Sequence, residues 1–443
     1  MARPARPLRV ARPPRKPRAD RRAARARAAA SRPVEQRVLL TATLVLLAFG
    51  AVMVYSASSA RNVLQGGGNG TQYLVRTVIF GAIGLGVMQL MSRRGVELLR
   101  QLTPLLLIGS FGLLLLVLVP GIGISVNGAR RWIGPGTLSF QPSELMKLSL
   151  ILYVAQYLAS NPRRIRTFKG MVSPLVIVTG AAALLVAAEP DLGTALVICM
   201  SVSALLVAAG VPMRYLGYLA AGGAVLVVML VLVQPYQQAR LTAFLDPWAS
   251  ASTSGFQSVQ GQIALGSGGL FGVGLGESVQ KAFFLPEAHT DFILAVIGEE
   301  LGSVGVSAVI ALFGLIAWSG LRIARAATAP YAKLLATGLT SLILCQATLN
   351  IFVVLGIAPL TGVPLPFISY GPTNLTVMLA AVGLLLNVAE GSRAGLRLVE
   401  PSSRSRRNAS PPDRERDAAD RDRRRRDGGP RRAGAGGRRR AAG

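Results

Sequence analysis

The chain has 443 residues, of which 51% are hydrophobic and 15% charged, and its mean hydropathy is +0.48. Because soluble globular domains carry about 25% charged residues, this composition excludes an ordinary soluble protein and indicates a membrane protein. Cys199 and Cys345 both lie in apolar runs, and the chain has a single histidine. Neither a disulfide framework nor a multi-histidine zinc site is therefore expected.

The charge is concentrated at the two ends of the chain. Residues 1–37 hold 13 Lys and Arg against 2 acids, and residues 393–443 hold 17 against 7, so the tails supply 21 of the net charge of +28. Both tails are poor in large apolar residues, which predicts disorder. Nucleic-acid binding is one reading of so much arginine. We favour disordered cytoplasmic tails that follow the positive-inside rule and lie near anionic lipid, with no nucleic-acid partner.

Between the tails, residues 38–392 are predicted to form an all-α, polytopic membrane domain of about ten transmembrane helices. A spanning helix needs about 20 mostly apolar residues. Ten segments meet this requirement, several of them marginally: 38–57, 73–91, 102–120, 143–158, 171–188, 192–209, 215–233, 291–319, 333–356 and 373–391. The basic residues of the short connections place the even-numbered connections and both termini in the cytoplasm.

Two predicted extracytoplasmic loops, 121–142 and 234–290, are too long to be simple connections. Their aromatic residues predict that they lie against the membrane surface. The second loop contains GSGGLFGVGLG at 266–276. Its glycine spacing is close to a dinucleotide fingerprint, but no βαβ unit surrounds it. We therefore expect tight turns, or a close approach of the backbone to another element or a ligand.

Charged residues inside a membrane domain are costly and usually face a partner or a cavity. Glu144 and Lys147 are three residues apart on one helix face, so they could form a salt bridge or line a polar cavity, and the sequence leaves both open. Asp191 follows Pro190 in the turn EPDLGT, where it is well placed to cap the next helix. For Asp191 and Glu189 we favour a structural role.

The heptapeptide PEAHTDF at 286–292 contains the histidine and introduces an apolar helix. Spacing alone favours Asp291 as a helix-capping residue, with His289 packed beside it. Glu299 falls about 80° around the helix from Asp291, and Glu300 lies on the opposite side, so no close carboxylate pair is expected within the helix. The predicted topology favours a site instead, because one outer end also holds Arg130, Arg131, Glu144, Lys147, Asp191 and the turn LPFISYG at 365–371.

The motifs of the chain match those of one known family. They are VMVYSAS at 52–58, GARRWI at 128–133, QPSELMKL at 141–148, EPDLGT at 189–194, RLTAFLDPW at 240–248, GSGGLFGVGLG, LPEAHTDFILAVIGEELG at 285–302 and TGVPLPFISYG at 361–371. Over about residues 40–390 the chain resembles the SEDS (shape, elongation, division and sporulation) family, and its FtsW branch more than its RodA branch. The richness in Ala, Arg and Gly suggests a high-GC, actinobacterial source.

One departure from the family lies in the turn that follows the last motif. The family usually has SYGGSS where this chain has SYGPTN at 369–374. Pro372 removes the backbone donor and the flexibility that a glycine would supply. The role of this turn is therefore the least secure part of the resemblance.

The resemblance implies a peptidoglycan glycosyltransferase that polymerises lipid II at the division septum of the bacterial plasma membrane. Its expected partners are a class B penicillin-binding transpeptidase and other divisome membrane proteins. The family's essential aspartate matches Asp291, which we expect to be the base, acting directly or through a divalent cation (Mg²⁺ or Mn²⁺). Residues expected to bind the substrate are Arg130, Arg131, Glu144, Lys147, Glu189, Asp191, His289 and Ser369. A lipid II flippase and a non-enzymatic divisome scaffold are the competing functions.

The expected chemistry suits these residue types. Lipid II carries a diphosphate leaving group, so no carboxylic acid is required to protonate it, unlike in glycoside hydrolysis. The reaction needs a base for the acceptor hydroxyl and cations for the departing diphosphate. Arg130, Arg131 and Lys147 are the candidate cations, because guanidinium groups make forked contacts with phosphate oxygens. Direct attack by the hydroxyl would invert the anomeric carbon.

Overall fold

The structure is a computed structural model. It describes residues 34–64, 71–126, 128–134, 139–164, 167, 172–281 and 285–399. Most of the predicted tails, 1–37 and 393–443, lies outside the described residues. The exceptions are 34–37 and 393–399, which are helical. The first and last helices therefore extend beyond the predicted tail boundaries by four and seven residues.

The described part of the chain forms eleven α-helices and one β-hairpin. The helices are α1 Val34–Leu64, α2 Gln72–Leu118, α3 Pro142–Ser160, α4 Ile177–Ala188, α5 Leu192–Ala208, α6 Met213–Val233, α7 Pro235–Leu245, α8 Phe256–Gly268, α9 Ile293–Ala326, α10 Pro330–Val354 and α11 Pro372–Val399. A π-helical turn, Val172–Val176, leads directly into α4. The hairpin pairs β1, Ile124–Val126, with β2, Ala129–Trp132.

The helices agree with the predicted membrane domain. All ten predicted segments are helical over their described residues, apart from one or two residues at the ends of 102–120, 192–209, 291–319 and 333–356. Within that part of the chain, six helices are long and apolar enough to cross a membrane, and two shorter apolar helices, Pro174–Ala188 and Leu192–Ala208, accompany them. The remaining segment, α3, has 19 residues and includes Glu144 and Lys147. The number of crossings stays a prediction.

The second and third predicted spans form one continuous helix, α2, of 47 residues. Its first half packs against α11, where Asn387 Nδ2 donates to Ser92 O at 2.8 Å. Its second half packs against α3, where the hydroxyls of Ser110 and Ser149 are 2.9 Å apart. The predicted loop at 92–101 was therefore wrong, because these residues continue the helix.

The predicted helical fold is confirmed, and the loop at 121–142 adds a short β-hairpin to it. Two short strands pair there in an antiparallel hairpin, and Gly128 at its turn has φ +79°. A positive φ at a tight turn suits glycine, which lacks a Cβ. Since successive side chains of a strand point to opposite faces, the hairpin separates Arg130 from Arg131.

The second long loop, 234–290, is also structured, because it contains α7 and α8. Helix α8 packs closely along the first part of α9. A Cβ added at Gly261 would lie 2.6 Å from the ring of Phe292, and one added at Gly268 would overlap the carbonyl oxygen of Gly298. The expected close backbone approach of the glycine-rich segment is thus confirmed, with α9 as the neighbouring element.

The same segment compensates for a break in α9. Gly302 has φ 67° and ψ −166°, which are not helical values and interrupt the helix. The glycine-rich segment supplies the missing partners through four backbone hydrogen bonds: Val273 N to Glu299 O (2.9 Å), Gly274 N to Glu300 O (3.1 Å), Ser303 N to Gly269 O (3.0 Å) and Val304 N to Leu270 O (3.2 Å). The break therefore leaves these carbonyl and amide groups satisfied, as a membrane interior requires.

A buried ion pair ties this segment to two helices. Lys281 Nζ lies 2.8 Å from Glu300 Oε1 of α9 and donates to Gly276 O at 2.7 Å. Ser56 of α1 donates to the same Glu300 carboxylate at 2.6–2.8 Å. Removing one partner of such a pair would leave a buried charge uncompensated. The contact therefore fixes the end of the glycine-rich segment against α1 and α9.

The contact between α8 and α9 predicts different effects for two neighbouring glycines. Gly268→Ala should lower the free energy of unfolding by about 1–3 kcal/mol, because its methyl group would overlap the α9 backbone. Gly266→Ala is the matched control: its Cβ would meet nothing within 4 Å, and alanine favours a helix. The measurement is the apparent thermal unfolding midpoint of each variant in detergent. Equal midpoints would contradict the close packing of α8 on α9.

Candidate active site

Asp291 lies at the end of the bundle where α3, α5, α9 and α11 begin, here called the Asp291 end. Its side chain is 9% exposed. Helix α9 begins at Ile293 with Phe292 as its N-cap residue, so Asp291 does not occupy the capping position. The capping interpretation that spacing alone favoured is therefore wrong, and the carboxylate is available for another role.

The backbone of Asp291 is held by helix α10. Asn350 Nδ2 donates to Asp291 O at 2.7 Å and to Val363 O at 2.8 Å. One turn earlier on α10, Gln346 Nε2 donates to Pro364 O at 2.9 Å. These two amides fix the start of α9 and the loop 361–371 to each other. Sequence reasoning missed both, because neither residue belongs to a charged motif.

The Asp291 carboxylate lies near a second acid, Glu287. Thr290 Oγ1 lies 2.9 Å from Glu287 Oε2 and 3.3 Å from Asp291 Oδ1. Because the hydroxyl has a single proton, it can donate a hydrogen bond to only one of the two carboxylates at a time. Burial, and then the negative charge of Glu287, raise the pKa of Asp291 to about 7. A group with that pKa can accept and release a proton near neutral pH.

Two arginines act on Asp291, and one of them, Arg131, shares the space at Gly362 with it. A Cβ added at Gly362 would lie 3.7 Å from Arg131 Nη1 and 3.8 Å from Asp291 Oδ2, so a small residue there keeps the space between these groups open. Arg240, on α7, interacts electrostatically with Asp291 and with Asp191. Burial lowers the pKa of Arg240, and the positive charge of Arg131 lowers it further. The charges of Asp291 and Asp191 oppose this shift.

Arg240 was not among the predicted site residues. Its guanidinium lies over the ring of Tyr236, 4.5 Å from the centroid, which directs it back along α7. The motif RLTAFLDPW, which begins with Arg240, was the signal that could have identified it. Its contribution depends on α7 folding over the Asp291 end, and that was not predictable from the spacing.

Arg131 is anchored on the turn EPDLGT. Its Nε donates to Glu189 O at 3.2 Å, its Nη2 donates to Pro190 O, and its Nη1 lies 3.8 Å from Asp191 Oδ1. Asp191 accepts from Thr194 N at 3.2 Å as the N-cap of α5, which confirms the predicted cap. The turn thus fixes the guanidinium of Arg131 beside the site.

Glu189 is fully buried next to these groups. Neither of its carboxyl oxygens has a hydrogen-bond partner among the described residues. Burial, and then the charge of Asp191, raise the pKa of Glu189 to about 8, and Arg131 opposes this shift. The raised pKa favours the neutral form of Glu189, and in that form the charge of Arg131 is opposed chiefly by Asp191.

Glu144 and Lys147 form a salt bridge, one of the two arrangements that the sequence left open, with Lys147 Nζ 2.9 Å from Glu144 Oε1. Lys147 Nζ also donates to Gln346 Oε1 at 2.6 Å, and Asn374 Nδ2 donates to Glu144 Oε2 at 2.9 Å. Both charged side chains are almost completely buried. In this structure they support α10 and α11, and Lys147 is not exposed to a ligand.

The remaining predicted residues have separate surroundings. Arg130 is exposed on the opposite face of β2 from Arg131. The ring of His289 packs against Tyr73 and Tyr370, at 4.4 and 5.7 Å between centroids, and the two tyrosine rings also contact each other at 5.0 Å. Ser369 Oγ accepts from Leu365 N at 2.8 Å and closes the turn of the loop 361–371. Of these three, only His289 belongs to the segment that carries Asp291.

The departure in the last motif is accommodated by α11. Pro372 is the first residue of that helix, where a missing backbone donor costs nothing. Thr373 Oγ1 accepts from Gln141 N at 3.3 Å, and Gln141 Nε2 donates to Asp191 Oδ2 at 3.2 Å. The substituted turn is therefore joined to the starts of α3 and α5.

The carboxylates of Asp291 and Glu287 are the candidate ligands for a divalent cation. No group of three or more His, Cys, Asp or Glu residues suited to a metal occurs within the described part of the chain. The Asp291 and Glu287 carboxylates, joined through Thr290, still provide hard oxygen donors. Mg²⁺ is commonly held by one or two carboxylates together with water and substrate phosphates. The donor set therefore fits a divalent cation that arrives with a diphosphate.

Comparisons with known proteins agree with this fold. The family model for "cell cycle protein", which covers FtsW, RodA and SpoVE, matches residues 36–394. Stage V sporulation protein E of Bacillus subtilis is 41% identical over 80% of this chain and 97% of its own length. The probable peptidoglycan glycosyltransferase FtsW of Geobacter sulfurreducens is 40% identical over 80% of this chain and 94% of its own.

Solved structures show the same similarity. One chain, from a study of "structural coordination of polymerization and crosslinking by a peptidoglycan synthase complex", has 30% identity and a TM-score of 0.65 over 80% of this chain and 97% of its own. The rod shape determining protein RodA of Thermus thermophilus has 29% identity and a TM-score of 0.58 over 80% of this chain and 96% of its own.

The fold and the site define a multi-pass membrane protein that presents an acid and two arginines at one end of a helix bundle. The chain belongs to the FtsW/RodA/SpoVE family, the SEDS family that its motifs resembled. Its relatives include both FtsW and sporulation proteins at similar identity. The FtsW branch and the actinobacterial source stay predictions.

The amide of Asn350 yields a prediction about stability. Asn350→Leu keeps the branched side-chain shape but leaves the carbonyls of Asp291 and Val363 without their donor, at about 1–3 kcal/mol each. Asn387→Leu is the control, because it removes one hydrogen bond, to Ser92 O, elsewhere in the bundle. In thermal unfolding in detergent, Asn350→Leu should have the lower midpoint. The opposite order would contradict the role given to Asn350.

Proposed function

We propose that the chain is a peptidoglycan glycosyltransferase that polymerises lipid II into glycan strands. The observation that carries this proposal is the position of Asp291, a carboxyl with a pKa of about 7 that shares the space at Gly362 with Arg131. The named activity of the FtsW relative supports it. The proposed reaction needs a base and cations close together, and this end of the bundle provides both.

Asp291 acts as the base in the proposed reaction. It takes the proton of the acceptor sugar's 4-hydroxyl as the oxygen attacks the anomeric carbon of the donor. A carbon–oxygen bond forms to the acceptor, and the bond from the anomeric carbon to the diphosphate breaks. Undecaprenyl diphosphate leaves with the bonding electrons, and the anomeric carbon is inverted. General base catalysis of this kind contributes about 10²–10⁴-fold to the rate.

Arg131 and Arg240 bind the departing diphosphate in this proposal. Their guanidinium groups are placed by the EPDLGT turn and by α7 respectively. The N-termini of α3, α5, α9 and α11 at the same end add positive dipoles that favour an anion. Arg130 and Lys147 have no part in this diphosphate site. Arg130 is exposed on the other face of β2, and Lys147 is buried in its ion pair with Glu144.

A divalent cation, Mg²⁺ or Mn²⁺, is a further proposed component. The residues that would hold it are Asp291 and Glu287, with Thr290 between them. When bound, such an ion would neutralise charge on the diphosphate. Because a cation also favours the ionised form of a carboxyl, its presence would lower the pKa of Asp291.

The proposed setting is the bacterial plasma membrane at the division septum, with both termini in the cytoplasm. A class B penicillin-binding transpeptidase is the proposed partner, together with other divisome membrane proteins. The synthase complex among the similar structures, whose description joins polymerization with crosslinking, supports a partner that crosslinks the strands. Further partners rest on the family resemblance.

Replacing Asp291 tests the proposed function. Asp291→Asn removes the base while nearly preserving the side-chain shape, so polymerisation should fall by about 10²–10⁴-fold. The measurement is glycan chain formation from labelled lipid II by purified protein with Mg²⁺ or Mn²⁺, with and without a transpeptidase-inactive partner. Asp246→Asn, on the exposed loop after α7, is the control and should remain active.

Three outcomes separate the competing functions. Polymerisation by the wild type but not by Asp291→Asn, with equal unfolding midpoints, supports the transferase and its base. Equal polymerisation by both would remove the catalytic role of Asp291. If neither polymerises with partner and metal present, a flippase or a scaffold becomes the better explanation, and transfer of lipid II across liposomes would distinguish those two.

The charges around Asp291 predict opposite shifts in the pH dependence. The base acts when deprotonated, so without added divalent cation kcat/KM should rise with pH up to about 7 in the wild type. Glu287→Gln removes the acid that raises the pKa of Asp291, so the midpoint should move to lower pH. Arg240→Gln removes a charge that lowers it, so the midpoint should move to higher pH. Shifts in the same direction for both variants would contradict the assignment.

A further inference from the structure

A cavity of about 240 Å³ lies beside the Asp291 end, apart from the residues of the proposed reaction. Its walls come from α2, from the segment before α3 and from the first two turns of α11. The lining residues are Phe80, Ile83, Ser139, Phe140, Pro372, Thr373, Thr376 and Val377. The walls are mainly apolar, so the cavity suits a hydrocarbon better than a sugar or a phosphate.

The cavity shares a wall with the candidate site. Thr373, which lines the cavity, accepts from the backbone of Gln141, and the Gln141 side chain donates to Asp191. Phe80 lies two turns, or about 10 Å, along α2 from Tyr73. Tyr73 packs on His289, two residues before Asp291. A ligand with its head near Asp291 could therefore extend a chain of modest length into the cavity.

The cavity also faces the lipid. Ile83 is 49% exposed, and its neighbours on α2 include the exposed residues Ile79 and Val78. Helix α2 is one of the membrane-crossing candidates, so this exposed apolar surface contacts hydrocarbon. A lipid chain could enter laterally without crossing a polar barrier.

We propose that this cavity binds part of the polyprenyl tail of one lipid-linked substrate. The inference rests on the proposed function, because joining a growing strand to lipid II brings two polyprenyl-linked saccharides to one base. Each tail needs an apolar path that ends near Asp291. The cavity provides one such path, with its apolar side towards the lipid and its Thr373 wall towards the site.

The proposal gives the departure SYGPTN a role. Pro372 and Thr373 replace residues that are glycine and serine in the usual family motif, and both line the cavity. The pyrrolidine ring of Pro372 adds apolar surface that a glycine would lack. The substituted turn thus shapes the wall of the tail site, whereas the reacting groups are supplied by other segments.

Filling the cavity tests the proposal kinetically. Ile83→Trp should raise the KM for lipid II about tenfold, as expected if roughly two methylene groups lose their apolar contact. The kcat should be little changed, because no reacting group is touched. Val78→Trp is the matched control, since Val78 is similarly exposed and lies about 140° around α2. Unchanged KM in a folded Ile83→Trp protein would overturn the proposal.

Photolabelling of the wild-type protein provides a test that does not depend on a variant. The probe is undecaprenyl diphosphate with a diazirine on its tail, and labelled peptides are mapped by mass spectrometry. Labelling within 80–83 and 372–377 is expected, with loss of label on adding unlabelled undecaprenyl diphosphate but not phosphatidylglycerol. Labelling found only outside these two stretches would overturn the proposal. Equal competition by phosphatidylglycerol would identify an ordinary phospholipid site and would also overturn it.

The two proposals can fail separately. If the wild type polymerises lipid II but the cavity is not labelled, the tail site is wrong and the transferase stands. If the cavity is labelled specifically but Asp291→Asn and the wild type are equally inactive, the tail site stands and the transferase fails. The binding assay needs no turnover, so these results are independent.

Discussion

The need to satisfy every backbone polar group within a membrane constrains this structure more than any single side chain. Helix α9 is interrupted at Gly302, only eleven residues after Asp291, and the glycine-rich segment replaces the lost hydrogen bonds. Only residues without a Cβ allow the two backbones to approach so closely. The Lys281–Glu300 pair then holds the end of the same segment on α9, and Ser56 links this pair to α1. The position of Asp291, just before α9, thus depends on the backbone contacts around Gly302, further along the same helix.

The same constraint shapes the site itself. Asn350 satisfies two carbonyls at the junction of α9 and the loop 361–371, and Arg131 satisfies two more in the EPDLGT turn. Arg131 therefore has a structural and a proposed chemical role, because its Nη1 still faces the space at Gly362. One guanidinium thus satisfies buried carbonyls and still faces the site, which suits a membrane protein, where each buried polar group needs a partner.

Local spacing predicted some features and not others. The interval of three residues identified the Glu144–Lys147 pair, and Pro190 with Asp191 identified the cap of α5, because both contacts lie within one turn of chain. Arg240 and Asn350 were missed, since their contacts reach across the fold. Spacing also favoured Asp291 as a cap, which was wrong by one position: Phe292 holds the N-cap. The family motifs, which carry long-range information, single out Asp291 as the expected base, which periodicity does not; that role stays a prediction.

The neutral state of Glu189 has a consequence for the range in which the site can work. Its pKa of about 8 lies just above that of Asp291, about 7. Below the lower value the base is protonated; above the higher value a new negative charge appears beside Arg131 and repels an anionic ligand. The pH range of activity would therefore have an acid limb set by Asp291 and an alkaline limb set by Glu189.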